Sequence, residues 1–183
     1  MEQSRSRTQN LAVAGLYVAL TCVGAFVRIP FVWVPLSLQS IFPLLAGNTL
    51  SPAWAGACQS AYLVLGLLGL PVFAQGGGIG YIMQPTFGYL LSFPVAAVLI
   101  ATIIKRSHQP VSFLRFAGVD LLGVVVILFM GVFWLFVFSN FILGKSIPLG
   151  KAFVVGTVVF LPGELVKILL AAFVGRAVNT RLN

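Results

Sequence analysis

Five apolar runs, residues 11–27, 53–70, 82–104, 117–141 and 153–178, dominate this chain. An α-helix needs about 20 mostly apolar residues to cross the hydrocarbon core of a bilayer, with about 17 as the lower end, and every run meets that length. With 60% of its 183 residues hydrophobic and 8% charged, the chain has too little polar surface to cover a soluble core. It is expected to be an all-α integral membrane protein. Residues 38–50 form a sixth, shorter apolar segment that contains Pro43 and Asn48 and is separated from the next run only by Ser51 and Pro52. Irregular or polar backbone is tolerated at membrane depth where protein covers it. This segment therefore reads as a short, tilted second helix inside a six-helix bundle, and residues 1–183 as one membrane domain.

Lysine and arginine set the orientation, because they accumulate on the cytoplasmic side. With a cytoplasmic N-terminus, Arg5, Arg7, Lys105, Arg106, Arg115, Arg176 and Arg181 fall inside, against Arg28, Lys145 and Lys151 outside. Without a helix at 38–50 the cluster from Lys105 to Arg115 would lie outside, so the charge pattern argues for six spans with both termini in the cytoplasm. The net charge of +8 is scattered in ones and twos at the ends of apolar runs, with no basic stripe or aromatic platform, which excludes a nucleic-acid surface. Cys22 and Cys58 stand singly in apolar surroundings and read as core thiols, and His108 in "KRSHQP" reads as solvated. "MEQSRSRTQN" followed by an apolar run has the outline of a signal peptide but lacks a small-x-small cleavage site, so it is taken as a retained first span. No repeat relates the two halves, whereas many complete secondary transporters carry one. The chain reads as one part of a larger assembly.

"GKS" at residues 144–146 ends like a phosphate-binding loop, but Ser139 stands where its first glycine belongs and no strand precedes it. No nucleotide site, cofactor or metal is expected. "QGGGIGYIMQPTFGY", residues 75–89, carries Gly76, Gly77, Gly78 and Gly80, which permit positive φ and close backbone approach, and Pro85 is placed to open the next helix. Two readings stand: a plain connection between helices, or a loop folded over a solute with Phe73, Tyr81 and Gln84 on its inner face. Gly15 and Ala19, with Ala12 on the same broad face, let another helix approach closely, either within the bundle or on a partner subunit.

The most informative stretch is "LPGELVKILLAA", residues 161–172, where Glu164 and Lys167 stand in an apolar run. Each unpartnered charge at mid-bilayer costs roughly 2.5 to 3.5 kcal/mol, so the pair needs compensation. At i and i+3 the two share one helix face. Either they satisfy each other, or a ligand that donates to Glu164 and accepts from Lys167 satisfies both. Pro162 and Gly163 loosen the backbone just before the carboxylate, which favours the second reading.

Three segments together, "VPLSLQSIFPLLAG" (residues 34–47), "GLLGLPVFAQGGGIGYIMQPTFGYLLSF" (66–93) and "PGELVKILLA" (162–171), resemble the BioY family, the biotin-binding substrate subunits of energy-coupling factor (ECF) transporters. The resemblance implies a six-helix S component in the bacterial cytoplasmic membrane. It would capture biotin from outside and work with a transmembrane coupling (T) subunit and two ABC ATPase subunits, although some family members occur without dedicated partners. It also implies that Glu164 and Lys167 hold the ureido ring, with Glu164 where the family more often has aspartate. "QPTFGY" stands where "GPTGGY" is frequent, so Gln84 and Phe87 replace glycines. Gln39, in the first segment, joins the expected substrate-binding set. Arg28, Tyr81, Gln84 and Thr86 are candidates for the valerate carboxylate, and Phe31, Trp33, Phe73 and Tyr81 for the apolar ring and chain. Ala12, Gly15 and Ala19 become candidates for docking the coupling subunit.

The chemistry is consistent with that expectation. A cyclic urea presents two N–H donors and one carbonyl acceptor, so a carboxylate and an ammonium on one helix face form charge-assisted hydrogen bonds with it in a dry site. Rival readings are an S component for another vitamin and a solitary proton-coupled carrier using Glu164. An intramembrane enzyme with Asp120 and Glu164 as an acid pair is disfavoured, because the two lie far apart along their helices. The chain is not expected to be an enzyme.

Overall fold

The computed structural model describes residues 6–29, 36–107, 110–144 and 147–182. Phe31, Trp33, His108, Lys145 and Ser146 lie outside these residues. Helix α1 (Arg7–Phe26) starts at a capping box: Gln9 N–H donates to Ser6 Oγ at 3.2 Å and Ser6 N–H donates to Gln9 Oε1 at 3.0 Å. Reciprocal bonds of this kind satisfy two of the donors left free at a helix start. A two-residue hairpin follows, β1 (Arg28–Ile29) against β2 (Leu36–Ser37), with Arg28 opposite Ser37.

Helix α2 (Ile41–Thr49) is short, and α3 (Pro52–Leu67) opens with proline where a missing N–H costs nothing. The glycine-rich connection contains a 3₁₀ turn (Ile79–Met83) before α4 (Phe87–Lys105). That helix begins two residues later than Pro85, with Thr86 as its cap, because Gln84 is extended and Pro85 and Thr86 form a turn in which Phe87 N–H donates to the Gln84 carbonyl at 3.2 Å. Helix α5 (Phe113–Val137), capped by Ser112, relaxes into a π-helical turn (Phe138–Ile142). The last apolar run is divided. It comprises α6 (Leu149–Phe153), a π-helical turn (Val154–Val158) and α7 (Leu161–Leu182), and the axis bends by 44° at the break. Pro162 lacks the N–H that would bond back to the Val158 carbonyl, which accounts for the helix restarting there.

Three helical stretches are long and apolar enough to cross a membrane, Arg7–Phe26, Phe87–Lys105 and Phe113–Ile142, and the bent pair Leu149–Val158 with Leu161–Thr180 makes a fourth if counted as one. The polarity is that of a protein in lipid: Phe129, Phe133, Leu165, Leu169 and Phe173 are exposed while Gln59, Asp120, Glu164 and Lys167 are buried. Helices α4 and α5 form the central pair. They approach through glycine: a Cβ on Gly88 would come within 2.2 Å of Trp134 Cβ, and one on Gly131 within 2.2 Å of the Tyr89 ring. With no hydrophobic drive between helices in lipid, such close packing is what holds them together. Helix α2 packs against α4 and α7, with Leu44 fully buried. Its N-terminal end is thereby set against the start of α7.

Candidate functional site

At that junction a pocket forms whose polar lining comes from Gln39 and Ser40 before α2, Tyr81 and Thr86 from the glycine-rich connection, and Glu164 and Lys167 from α7. Tyr89, Leu90 and Phe93 of α4, Ile127 and Leu128 of α5, and Phe160 at the bend supply the apolar wall. Glu164 lies in the first turn of α7, where the break restarts the helix inside the protein. A carboxylate is favoured at such an N-terminus by the free N–H groups and the helix dipole. Its neighbour Lys167 reaches it directly, Nζ to Oε1 at 2.6 Å, and the two residues are 5% and 6% exposed.

Sequence reasoning missed the third member. Ser40 donates its hydroxyl to Glu164 Oε1 at 2.9 Å and accepts from Lys167 Nζ at 2.8 Å. The ion pair is thus partly self-satisfied, as one of the two sequence readings expected. It is not fully so: among the described residues, buried Glu164 Oε2 has no hydrogen-bond partner. Charge-assisted bonds in a low-dielectric site are strong, and a buried polar atom without a partner is costly. The triad therefore holds one unused acceptor beside a pocket.

Tyr81 closes another side. Its ring packs on Phe73 with centroids 4.6 Å apart, and its hydroxyl accepts from Thr86 Oγ1 at 3.3 Å. Burial pushes the Tyr81 phenol above its ordinary pKa, while the bond from Thr86 and the nearby Arg28 guanidinium pull the other way. The loop that carries it is tightly built. Gly76 and Gly78 have φ of 121° and 98°, Gly78 N–H donates to the Gly66 carbonyl at 2.7 Å, and a Cβ on Gly77 would lie 2.0 Å from the Leu70 carbonyl oxygen. Gln39 is fixed by donating its amide to the Tyr62 hydroxyl, which in turn donates to the Val72 carbonyl at 3.0 Å.

The remaining sequence candidates are placed differently. Gln84 is not among the residues lining the pocket, and its backbone carbonyl accepts from Trp134 Nε1 at 2.9 Å. Phe73 supports Tyr81 from behind. Arg28 is exposed, across the hairpin from the pocket residue Ser37. Trp33 and Phe31 fall outside the described residues. Ala12, Gly15 and Ala19 are all exposed on α1, and a Cβ added at Gly15 meets nothing within 4 Å. Asp120 does not line the pocket: Asn48 on α2 donates to it at 2.9 Å, so it forms no acid pair with Glu164.

A helical bundle that encloses a small pocket, with a charged pair at a helix break, has the fold of a solved transporter S-component. The model matches "Crystal structure at 2.1 A of the S-component for biotin from an ECF-type ABC transporter" with a TM-score of 0.83 and 27% sequence identity, over 97% of this chain and 95% of that one. The structure of FolT bound with folic acid matches with a TM-score of 0.62 at 18% identity, over 92% and 94%, a likeness of fold alone. The BioY family model matches residues 1–183. Among relatives, a probable biotin transporter BioY of Lysinibacillus sphaericus is 40% identical over 151 residues, covering 82% of this chain and 76% of the relative. The biotin transporter BioY of Thermotoga maritima is 34% identical over 167 residues, covering 91% and 93%. The chain belongs to the BioY family, a family of transporter subunits and not of enzymes.

Proposed function

We propose that this chain is the substrate-binding subunit of a biotin uptake system and that biotin occupies the pocket beside Ser40, Glu164 and Lys167. The observation that carries this reading is the unused, buried Oε2 of Glu164 at a pocket wall, next to an ammonium. A ureido N–H donates to that oxygen and the ureido carbonyl accepts from Lys167, so one ligand group completes both. Discrimination then follows from polar groups that the wrong ligand leaves unpaired. Gln39 and Tyr81 line the ring end. Arg28, Thr86 and Gln84 are candidates for the carboxylate end, of which Thr86 lines the pocket.

The same reading places the protein in the bacterial cytoplasmic membrane as six spans, approximately 11–27, 38–50, 53–70, 82–104, 117–141 and 153–178, with both termini cytoplasmic and the pocket reached from outside. The coupling subunit docks on the small face of Ala12, Gly15 and Ala19, and two ABC ATPases drive the cycle through it. Calorimetric titration of the detergent-purified chain with biotin, thiamin and riboflavin tests the proposal. Stoichiometric binding of biotin alone, lost in Lys167→Ala, is the expected result. A chain that ignores biotin, or a Lys167→Ala variant that binds it unchanged, overturns it.

A further inference from the structure

A second buried polar group lies outside the pocket. Asp120 of α5 is fully buried and Asn48 of α2 is 6% exposed. Asn48 uses both amide hydrogens, one to Asp120 Oδ2 at 2.9 Å and one to the Ala171 carbonyl of α7 at 3.3 Å. The side chain thereby clips three helices. Gly175 makes room for it, since a Cβ there would lie 3.0 Å from Asn48 Cβ. Among the described residues, two buried atoms are left without a partner, Asn48 Oδ1 and Asp120 Oδ1, and both are acceptors. The group is one hydrogen short.

No cation supplies the deficit among the described residues. Helix α2 has no titratable side chain. On α4, Lys105 is exposed, and Tyr89 donates to the Gly156 carbonyl. On α5 itself Arg115 is exposed, as is Lys151 of α6. On α7, Lys167 is committed to Glu164, and Arg176 is exposed. A lone carboxylate in apolar surroundings is far costlier than its neutral acid. In a carboxylic acid–amide pair, the amide N–H donates to one acid oxygen and the acid O–H donates back to the amide oxygen. Half of that pair is present, and the two orphaned atoms are those the other half requires.

We infer that Asp120 and Asn48 form a proton-binding site, in which a proton carried on Asp120 Oδ1 is donated to Asn48 Oδ1 and completes an acid–amide clip joining α2, α5 and α7. The inference does not rest on the identity of the pocket's ligand. The clip is complete while Asp120 carries the proton and is lost when the proton leaves, so its contribution to stability is linked to protonation. The role is also compatible with a single substitution. Asp120→Asn supplies an amide that accepts from Asn48 Nδ2 and donates to Asn48 Oδ1 with no proton required.

Asp120 is the only aspartate in the chain, so side-chain ¹³C-labelled aspartate reports this carboxyl without any mutation. Infrared spectra of the labelled, detergent-purified protein are expected to show the protonated acid at about pH 6, where an ordinary aspartate of pKa about 3.9 is less than about 1% protonated. An ionised carboxylate at that pH overturns the inference, as does a carboxyl band that shifts when sodium replaces choline, which would make the ligand a metal cation. In melting experiments the parent is expected to lose stability from neutral to alkaline pH relative to Asp120→Asn. An identical pH profile for the two overturns it as well.

Discussion

Ser40 donates to Glu164 Oε1 and accepts from Lys167 Nζ, so one hydroxyl joins α2 to both charges of α7 across more than 120 residues of sequence. The contact fixes which carboxylate oxygen is occupied. Lys167 and Ser40 both take Oε1, and Oε2 is left for something else. Positioning of this kind matters because the two charges alone have other ways to meet on a helix face.

Ser40→Ala removes that constraint without adding bulk. A hydrogen bond to a charged group is worth about 1.5 to 3 kcal/mol, which is roughly one to two decades in affinity. Calorimetry is expected to show biotin binding weakened by about that factor in a protein that still folds, with a smaller loss than for Lys167→Ala or Glu164→Ala. An unchanged dissociation constant would make Ser40 a bystander.

The glycine-rich connection offers a contrast within one loop. Gly77→Ala drives a Cβ to 2.0 Å from the Leu70 carbonyl oxygen, a backbone atom that cannot give way, whereas Gly80 has open space around it and no positive φ. Gly77→Ala is expected to displace Tyr81 and to lower biotin affinity by tenfold or more, on the order of the 1 to 3 kcal/mol that overpacking costs. Gly80→Ala is expected to bind as the parent does. Equal dissociation constants for the two variants would show that the loop does not shape the pocket.

The exposed face of α1 separates binding from transport. Gly15→Leu and Ala19→Leu place bulk on an exposed face, where among the described residues nothing stands within 4 Å of a Cβ added at Gly15. Binding by the isolated subunit is expected to survive while biotin uptake by cells falls, because close helix approach to a coupling subunit is blocked. Loss of binding in the purified variants would assign the face to the bundle instead.

How much of this was legible in the sequence follows from separation along the chain. Glu164 and Lys167 were readable because helical periodicity puts i and i+3 together without any knowledge of the fold. Tyr81 was readable from its glycine-rich neighbourhood. Ser40 and the Asn48–Asp120 contact were not, since each joins residues at least 72 apart, and no local pattern encodes a distant partner. Gln84 is not among the residues lining the pocket, although it stands near Tyr81 in sequence, because proximity along the chain says nothing about which way a side chain leaves the backbone. The run at 153–178 reads as one continuous helix, yet the protein breaks it at Phe160. Pro162 was visible as a loosening feature. The π-helical turn before it was not, because widening a helix by one residue per turn leaves hydrophobicity unchanged.

That break bears directly on the acid at position 164. Glu164 sits in the first turn of α7 and not in the middle of a long helix, so its carboxylate is held by the helix N-terminus as well as by Ser40 and Lys167. Glu164→Asp shortens the side chain by one methylene but keeps charge and helix position, and a small rotamer shift restores contact with a urea N–H. It is expected to bind biotin within a few-fold of the parent. Glu164→Gln keeps length and loses charge. Its amide can turn a donor toward a ligand donor, and Lys167 remains buried without its counter-ion. Breaking one half of a buried pair typically costs about 3 to 5 kcal/mol, or roughly two to three and a half decades of affinity. Biotin dissociation constants for the three proteins decide the matter: a Gln variant within a few-fold of the parent would mean that the negative charge at 164 plays no part in holding the ligand.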